Sequence, residues 1–327
     1  MKNAVVFSPY FGKLPMYFQL WLNSCKINDK FHFIIFTDDE ATFDVPHNVE
    51  IVRIKFSDFV NKFQSKFSFK ISLPNAYKLC DYRPAYGYIL SEYIEGYEYW
   101  GYCDLDVIWG DIIQFMPQEE YKKINYCGHL SLYKNEKSTN EAFKKNSVEF
   151  GYKEIFSTPY HLAFDENATY GINGILEFMG VEIYNFVSQI ASIRVEKNNL
   201  QYPIEAKGMK CEKYNEYKKI LSYEDGRVFS YYIENSKIKK QEFAYIHLQK
   251  RKMINKLESD TNSFLITAHE FIPYQEVNEK IINDTQVGEF YFDLFDIKYK
   301  ALIRKIGRKR QVIKWKVLQF MKKKQLQ

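Results

Sequence analysis

Residues 97–106 read Tyr97-Glu98-Tyr99-Trp100-Gly101-Tyr102-Cys103-Asp104-Leu105-Asp106. The stretch begins as the aromatic, apolar run of a buried strand and ends in two carboxylates one residue apart. Alternation along a strand places residues i and i+2 on the same face, so both carboxylates can reach one hard divalent cation. Ligands of open α/β sheets bind outside the carboxyl ends of the strands, where this pair would lie. The alternative interpretation is a polar strand end on the surface, because Asp-x-Asp alone is a weak motif.

The segments before this pair alternate between strand and helix patterns. Apolar runs at residues 3–8, 31–36 and 49–54 predict strands, and residues 16–27 have apolar side chains at helical spacing. Residues 73–94 read as largely helical, with a break near Pro84. Strands that alternate with helices indicate βαβ units. We therefore predict an α/β fold with a Rossmann-type, mostly parallel sheet and flanking helices.

Beyond Gly110 the pattern is mixed. Residues 127–133 and 243–248 predict further strands. Asp225-Gly226 stands between two strand-like runs and predicts a β-hairpin. Glu224 and Asp225 could also be interpreted as a catalytic carboxylate pair, but the turn is favoured.

Charge is unevenly distributed along the 327 residues. From Ile297 to the last residue there are 12 Lys or Arg and no Asp or Glu, which leaves the rest of the chain with a net charge of −7. Apolar side chains fall close to one helical stripe within this tail, at Leu302, Ile306, Ile313, Val317 and Phe320. We predict a basic, amphipathic C-terminal helical tail that binds an anionic membrane surface. A nucleic-acid-binding arm, which we do not favour, and a solvated terminal helix are the alternatives.

The number and spacing of the cysteines indicate the cellular compartment in which the protein resides. There are five, at positions 25, 80, 103, 127 and 211, and no two have Cys-x-x-Cys spacing. An odd number without this spacing argues against a zinc site or a disulfide framework. No signal peptide and no apolar stretch of about 18 residues is visible. We expect a cytoplasmic protein that is peripheral on the inner face of the membrane.

Three segments together resemble a known class of enzyme. They are Tyr77-Lys78-Leu79-Cys80-Asp81-Tyr82-Arg83-Pro84-Ala85-Tyr86-Gly87, Tyr102-Cys103-Asp104-Leu105-Asp106 and Ile246-His247-Leu248-Gln249-Lys250-Arg251-Lys252-Met253. The chain is similar to nucleotide-diphospho-sugar glycosyltransferases of the GT-A type. More closely, it resembles a poorly characterised bacterial family from capsule and surface-polysaccharide gene clusters. The resemblance implies a GT-A-like catalytic domain at residues 1–255, followed by a helical extension at 256–296 and the basic tail at 297–327.

The resemblance also implies a metal site. Asp104 and Asp106 would hold Mn²⁺ or Mg²⁺ against the diphosphate of the donor, and His247 would be the third ligand. Lys250 would lie where a cation contacts the diphosphate. A partly buried histidine at a strand end is the alternative interpretation of His247.

Several residues are predicted to bind the donor. Tyr10, in the loop after the first strand, could stack on a nucleobase. Asp38 could accept hydrogen bonds from base or ribose, or could cap a helix. Lys78 and Arg83 match the segment that lines the donor pocket in the resembling family, although an ordinary solvated helix face is the alternative.

Asp165 and Glu166 match an acidic motif at the start of an acceptor-side helix. One of these carboxylates would be the general base in an inverting enzyme, or would stabilise an oxocarbenium-like centre in a retaining one. Retention is slightly favoured. The alternative is a pair of acids that only stabilise a helix N terminus.

The resemblance therefore implies a metal-dependent glycosyltransferase that moves a hexose from a UDP-sugar to a lipid-linked or oligosaccharide acceptor. A metal-dependent phosphodiesterase or nucleotidyltransferase is one alternative, and it would need further acids near the metal. A non-catalytic saccharide-binding protein is the other, and it would have no need of a metal site.

Overall fold

The computed structural model describes residues 3–145, 151–167, 170–193, 200, 205–206, 209–210, 217–249, 251–258, 261–284 and 313.

The helices and strands of the first 145 residues, in chain order, are β1 (Ala4–Phe7), α1 (Phe18–Cys25), β2 (Phe31–Thr37), β3 (Val49–Arg53), α2 (Phe56–Ser65), α3 (Tyr86–Ile89), β4 (Tyr99–Cys103), β5 (Val107–Trp109), β6 (Lys123–Ile124), β7 (Leu130–Lys134) and α4 (Lys137–Asn140). They are followed by α5 (Tyr152–Ser157), α6 (Ile172–Phe178), β8 (Ile183–Tyr184), β9 (Ile190–Ser192), β10 (Glu205–Ala206), β11 (Met209–Lys210), β12 (Lys219–Glu224), β13 (Arg227–Glu234), β14 (Lys237–Phe243), β15 (Tyr245–His247), β16 (Ile254–Asn255), β17 (Ser263–Ile266), β18 (Glu270–Pro273) and α7 (Glu279–Asp284).

The largest sheet among these residues has the strand order β3-β2-β1-β4-β7-β6-β8. Its first four strands are parallel, β7 is antiparallel to β4 and to β6, and β8 is parallel to β6. The predicted α/β class with a Rossmann-type, mostly parallel sheet is confirmed. The chain leaves β1 for β2 on one side, and β4 lies on the other, so the strand order reverses at β1. The crevice at the carboxyl ends of β1 and β4 is therefore the expected place for a ligand.

Both faces of this sheet are covered by apolar side chains. Val5 and Phe7 of β1 pack in one core with Trp100 and Tyr102 of β4. The intervening β1 side chains point to the opposite face and pack in a second core with α1. Two buried faces explain why these strands are continuous apolar runs rather than alternating ones.

The segment before β4 is less helical than predicted. Residues Ala76–Ala85 form 3₁₀ turns, with Pro84 inside them, and only Tyr86–Ile89 is α-helical. Proline has no N–H and its ring clashes with the preceding turn, so an α-helix cannot continue through it. The Asn75 side chain caps the 3₁₀ segment by accepting a hydrogen bond from the Lys78 N–H at 3.3 Å.

A small sheet joins the two halves of the chain. β15 is its central strand, with β5 antiparallel on one side and β9 parallel on the other. The register pairs His247 with Val107 on β5 and with Ser192 on β9. The end of β15 therefore lies beside the residues that directly follow Asp106.

A six-stranded sheet follows in the order β14-β13-β12-β17-β18-β16. The predicted hairpin is confirmed: β12 and β13 pair around Asp225 and Gly226, which have φ of 46° and 89°. Glu224 is bound by Ser222, Tyr231 and Lys240, so it is part of the sheet surface. The helical extension predicted for residues 256–296 is wrong in its described part, because β17 and β18 complete this sheet and only α7 is helical.

No helix among the described residues is long and apolar enough to cross a membrane. Of the predicted tail at 297–327, only Ile313 is among the described residues, so the tail itself lies outside them.

Candidate metal and donor site

A cleft of about 420 Å³ opens at the carboxyl ends of β1 and β4. Residues 8–11, after β1, form one wall, and Tyr77, Cys80 and Arg83 contribute a second. Residues 103–106 line it from the end of β4. This is the crevice that the strand order predicts.

Asp104, Asp106 and His247 converge in this part of the molecule. One ligand atom from each lies within 4.8 Å of the others. The Nε2 atom of His247 is 3.6 Å from Oδ1 of Asp106. Two carboxylates and an imidazole form a donor set that suits Mn²⁺ or Mg²⁺. The residues present therefore fit the metal that the sequence predicts.

The backbone around Asp104 and Asp106 differs from the prediction. The two residues lie in a bend between β4 and β5, not on one strand face, and Leu105 between them is buried. The bend is held by hydrogen bonds from the Asp104 N–H to the His129 carbonyl and from the Leu248 N–H to the Asp106 carbonyl. The convergence therefore comes from this bend and not from strand alternation.

A polar contact orients the His247 ring. Its Nδ1 is 3.1 Å from Oγ of Ser192, which also accepts a hydrogen bond from Gln249 Nε2 at 3.0 Å. This leaves Nε2 turned toward Asp106. Burial by itself lowers the pKa of His247, but the Asp106 carboxylate outweighs it, and the net pKa is raised. The His247 imidazole and the Asp106 carboxylate are thus electrostatically coupled.

A second histidine stacks on the first. The rings of His129 and His247 have centroids 4.1 Å apart, and His129 Nδ1 is 2.8 Å from the Tyr245 hydroxyl. Burial, and then the neighbouring His247, hold the pKa of His129 well below its usual range. His129 therefore packs as a buried ring against His247.

Arg83 joins the candidate metal ligand Asp104 to the turn that carries Asp165 and Glu166. Its guanidinium contacts Asp104, and it donates to Oδ2 of Asp165 at 3.1 Å and to the Gly128 carbonyl at 3.0 Å. The planar fork of arginine suits such a bridge, because its N–H groups have fixed directions. Arg83 lines the cleft, and its donor-binding role stays a prediction.

Asp165 and Glu166 lie in a turn, well before α6 begins, so the interpretation as helix N-terminal acids is wrong. Asp165 is buried behind Arg83. Burial raises the pKa of Asp165, and the charge of Glu166 raises it further. The charge of Arg83 opposes these two effects, but the net pKa is raised. Glu166 is exposed and accepts a hydrogen bond from the Gly128 N–H at 2.7 Å. Of the two, Glu166 is the carboxylate open to solvent.

Gly128 is enclosed by these side chains. A Cβ at this position would lie 2.6 Å from Oε1 of Glu166, 3.0 Å from Nη1 of Arg83 and 3.1 Å from Oδ2 of Asp165. Only glycine therefore fits between the three charged groups without displacing one of them.

Lys78 does not line the cleft. It is buried, and its Nζ donates to Asp81 at 2.7 Å and to the carbonyls of Ile155 and Tyr160 at 2.9 and 2.6 Å. The predicted donor-binding role of Lys78 does not fit this position, because all three contacts are internal. Burial lowers the pKa of Lys78, and the Asp81 charge opposes that shift.

Asp81 completes a buried clamp. Its carboxylate accepts hydrogen bonds from the Leu162 N–H at 2.9 Å and from the Phe164 N–H at 2.9 Å. Phe164 immediately precedes Asp165. Lys78 and Asp81, which we call the buried clamp, therefore hold the segment before Asp165 in place.

The other predicted donor contacts lie around the loop after β1. Tyr10 lines the cleft. Asp38 is exposed and accepts a hydrogen bond from the Gly12 N–H at 2.7 Å, so it fastens this loop to the end of β2. The element that follows Asp38 is the strand β3 and not a helix, so the helix-cap interpretation of Asp38 is wrong. Lys250 lies outside the described residues.

Other residues of the site were not found from the sequence. Tyr17, Tyr77 and Cys80 line the cleft, while Ser192 and His129 support His247. These residue types are common, and they lie far from the Asp-x-Asp pair in the sequence. No spacing rule connects them, so only the fold brings them together.

The fold and the site define an α/β protein with a candidate divalent-cation site in a cleft at the end of its parallel strands. The chain belongs to a family of unknown function, DUF6625, whose model matches residues 6–275. No curated protein matches the chain.

The chain is also similar to solved structures. One is the galactosyltransferase LgtC in complex with donor and acceptor sugar analogues, with 14% identity, a TM-score of 0.33, and coverage of 58% of this chain and 75% of that one. Another is a glycosyltransferase involved in the glycosylation of the major capsid of PBCV-1, with 9% identity, a TM-score of 0.32, and coverage of 58% and 85%. Likenesses at this level carry no argument about activity.

Proposed function

We propose that this protein is a metal-dependent glycosyltransferase of the GT-A type that uses a nucleotide-diphospho-sugar, with a UDP-sugar as the expected donor. The observation that carries the proposal is the convergence of His247 with Asp104 and Asp106, the two carboxylates that line the cleft at the strand-order reversal. Mn²⁺ or Mg²⁺ bound there would neutralise charge on the leaving nucleoside diphosphate. Tyr10, on the cleft wall, would stack on the base.

The acceptor side of the proposed reaction rests on Arg83 and the two carboxylates behind it. Arg83 fixes the position of Asp104 relative to Asp165. We propose that Glu166, which is exposed, accepts a proton from an acceptor hydroxyl or faces a developing positive charge on the sugar. Asp165 has the narrower role of orienting Arg83. Retention remains slightly favoured by the sequence resemblance.

The acceptor proposed is a lipid-linked or oligosaccharide substrate of capsule or surface-polysaccharide synthesis, and the proposed location is the inner face of the membrane. The sequence resemblance supports the pathway, and the basic tail supports the location. The phosphodiesterase and nucleotidyltransferase alternatives would need more acids at the metal. Among the described residues, the group that could hold an ion contains two acids and one histidine.

The proposal is tested with the full-length protein, UDP-sugars and Mn²⁺, by measuring UDP release and UDP binding with and without EDTA. Asp104→Asn and Asp106→Asn should abolish Mn²⁺-dependent UDP release while leaving the unfolding midpoint unchanged. Asp44→Asn is the matched control, because Asp44 is exposed and lies outside the cleft. Wild-type turnover by either cleft variant in EDTA would refute the metal mechanism. A wild-type protein that binds no UDP with Mn²⁺ present would refute the function.

A further inference from the structure

A second groove, of about 610 Å³, lies beside the metal cleft. Two segments, residues 13–17 and 251–255, form most of its walls. Tyr17 lines both the groove and the cleft, and the 251–255 segment follows shortly after His247. The groove and the candidate metal site are therefore adjoining compartments.

The groove has apolar walls that are open to solvent. Leu14 and Met253 are buried within it, while Met16 is 66% exposed and Ile254 is 39% exposed. The two exposed side chains come from the two different segments. Exposed apolar side chains gathered at one concave place indicate a binding site for an apolar group.

The groove is also cationic. Lys13 and Lys252 are exposed at its walls, and Arg251 is buried behind them, with Nη1 donating to the Ala268 carbonyl at 2.8 Å. Among the described residues that line the groove, none is Asp or Glu. Lysine ammonium groups bind phosphate as point charges. Apolar walls with two exposed cations are complementary to an amphiphile that carries a phosphate.

We propose that this groove binds the lipid phosphate of a lipid-linked saccharide acceptor. The phosphate lies between Lys13 and Lys252, and the first part of the hydrocarbon chain packs on Met16 and Ile254. The inference rests on the proposed function, because it places the anchor of the acceptor next to the donor cleft. The basic C-terminal tail has the same sign of charge as the groove lysines, which argues against the tail as its occupant.

The test measures binding of octyl phosphate, below its micelle concentration, to the full-length protein by titration calorimetry. Inorganic phosphate and 1-octanol serve as comparison ligands, because the first lacks the alkyl chain and the second lacks the phosphate. Each should bind at least about tenfold more weakly than octyl phosphate. Met16→Asp and Lys252→Glu should each weaken octyl phosphate binding by about tenfold or more. UDP affinity in Mn²⁺ should stay unchanged in both variants.

Two exposed residues provide matched controls. Phe178→Asp changes an apolar side chain that is 84% exposed and lies outside the groove. Lys256→Glu reverses a lysine charge just beyond the groove wall, where Lys256 pairs with Glu270 at 2.8 Å. Both should bind octyl phosphate as the wild type does.

Several results would overturn the proposal. Groove variants that bind octyl phosphate like the controls would place the ligand elsewhere, and equal affinity for inorganic phosphate would indicate a simple anion site. Groove variants that lose binding only to phosphatidylglycerol vesicles would indicate a bilayer contact. Stronger octyl phosphate binding after truncation before Ile297 would indicate that the tail occupies the groove. If octyl phosphate binds as expected but UDP does not bind with Mn²⁺, the proposed function fails while the groove remains an amphiphile site.

Discussion

Replacing Lys78 with methionine tests the buried clamp. The two side chains have similar length, but methionine has no charge and no donor. Lys78 and Asp81 are 1% and 0% exposed, so water cannot replace the lost contacts. The substitution leaves the Asp81 carboxylate buried, with two backbone N–H donors and with Nε2 of His161 at 3.8 Å, but without its lysine partner. It also takes a donor from the carbonyls of Ile155 and Tyr160.

The expected loss in the free energy of unfolding is about 3–5 kcal/mol, the usual result of removing one partner from a buried ion pair. Domains of this kind have a total stability of about 5–15 kcal/mol, so the loss is large but the protein should still fold. The double variant Lys78→Met/Asp81→Asn removes the uncompensated charge as well. We expect it to be more stable than the single variant, which gives a measurable coupling between the two residues.

Urea unfolding of the full-length protein measures these differences, with UDP binding and UDP release followed in parallel. The clamp holds the loop that carries Asp165 and Glu166, so turnover should fall more than UDP affinity. Lys62→Met is the control, because Lys62 forms a partly exposed pair with Glu92 whose loss should cost under about 1 kcal/mol. A loss for Lys78→Met as small as that of the control would refute the reasoning. A fall in UDP affinity without a fall in turnover would restore Lys78 as a donor-binding residue.

Four further outcomes are expected. Arg83→Lys keeps the charge but removes the planar guanidinium, so kcat for UDP-sugar hydrolysis should fall by about tenfold or more. An unchanged kcat would contradict the role of Arg83 as a bridge between Asp104 and Asp165. Gly128→Ala should displace the charged groups around it, so the rate of sugar transfer should fall more than the affinity for UDP. Equal losses of transfer rate and UDP affinity, measured by steady-state kinetics and UDP titration, would contradict this role of Gly128. Ser192→Ala should weaken Mn²⁺ binding by about tenfold, because the ring of His247 loses the contact that orients it. Titration of UDP binding with Mn²⁺ measures this affinity. Truncation before Ile297 should release the protein from anionic vesicles, where each basic residue contributes about 1 kcal/mol, and identical sedimentation of both forms would exclude the tail as an anchor.

The parallel half of the fold was predictable because its strands are buried on both faces. Their apolar runs, separated by helical patterns, leave few other topologies. The hairpin at Asp225-Gly226 was predictable for a local reason, since both positions have positive φ. The interior strands β17 and β18 were not predicted, because strands of only four residues have little periodicity of their own.

For the site, the sequence predicted the residue types better than their roles. Asp104 and Asp106 follow a distinctive strand, and the structure brings them together with His247, although through a bend. Lys78 lies in a segment whose pattern resembles a donor pocket, but whether its ammonium group points outward or inward depends on two distant carbonyls, of Ile155 in α5 and of Tyr160 after it. Ser192 could not be predicted, because its relation to His247 exists only across the ladder between β9 and β15.

The three-stranded sheet of β5, β15 and β9 has a consequence for folding. Asp106 and His247 meet only after β15 has been inserted between strands from two distant parts of the chain. Contacts with such large sequence separation form slowly, because the intervening chain must first be ordered. A slip of one residue in this register would turn the His247 side chain to the opposite face. With the proposed metal site, recovery of Mn²⁺ binding during refolding would report the arrival of β15 in its correct register, later than signals from the helices and the first parallel strands.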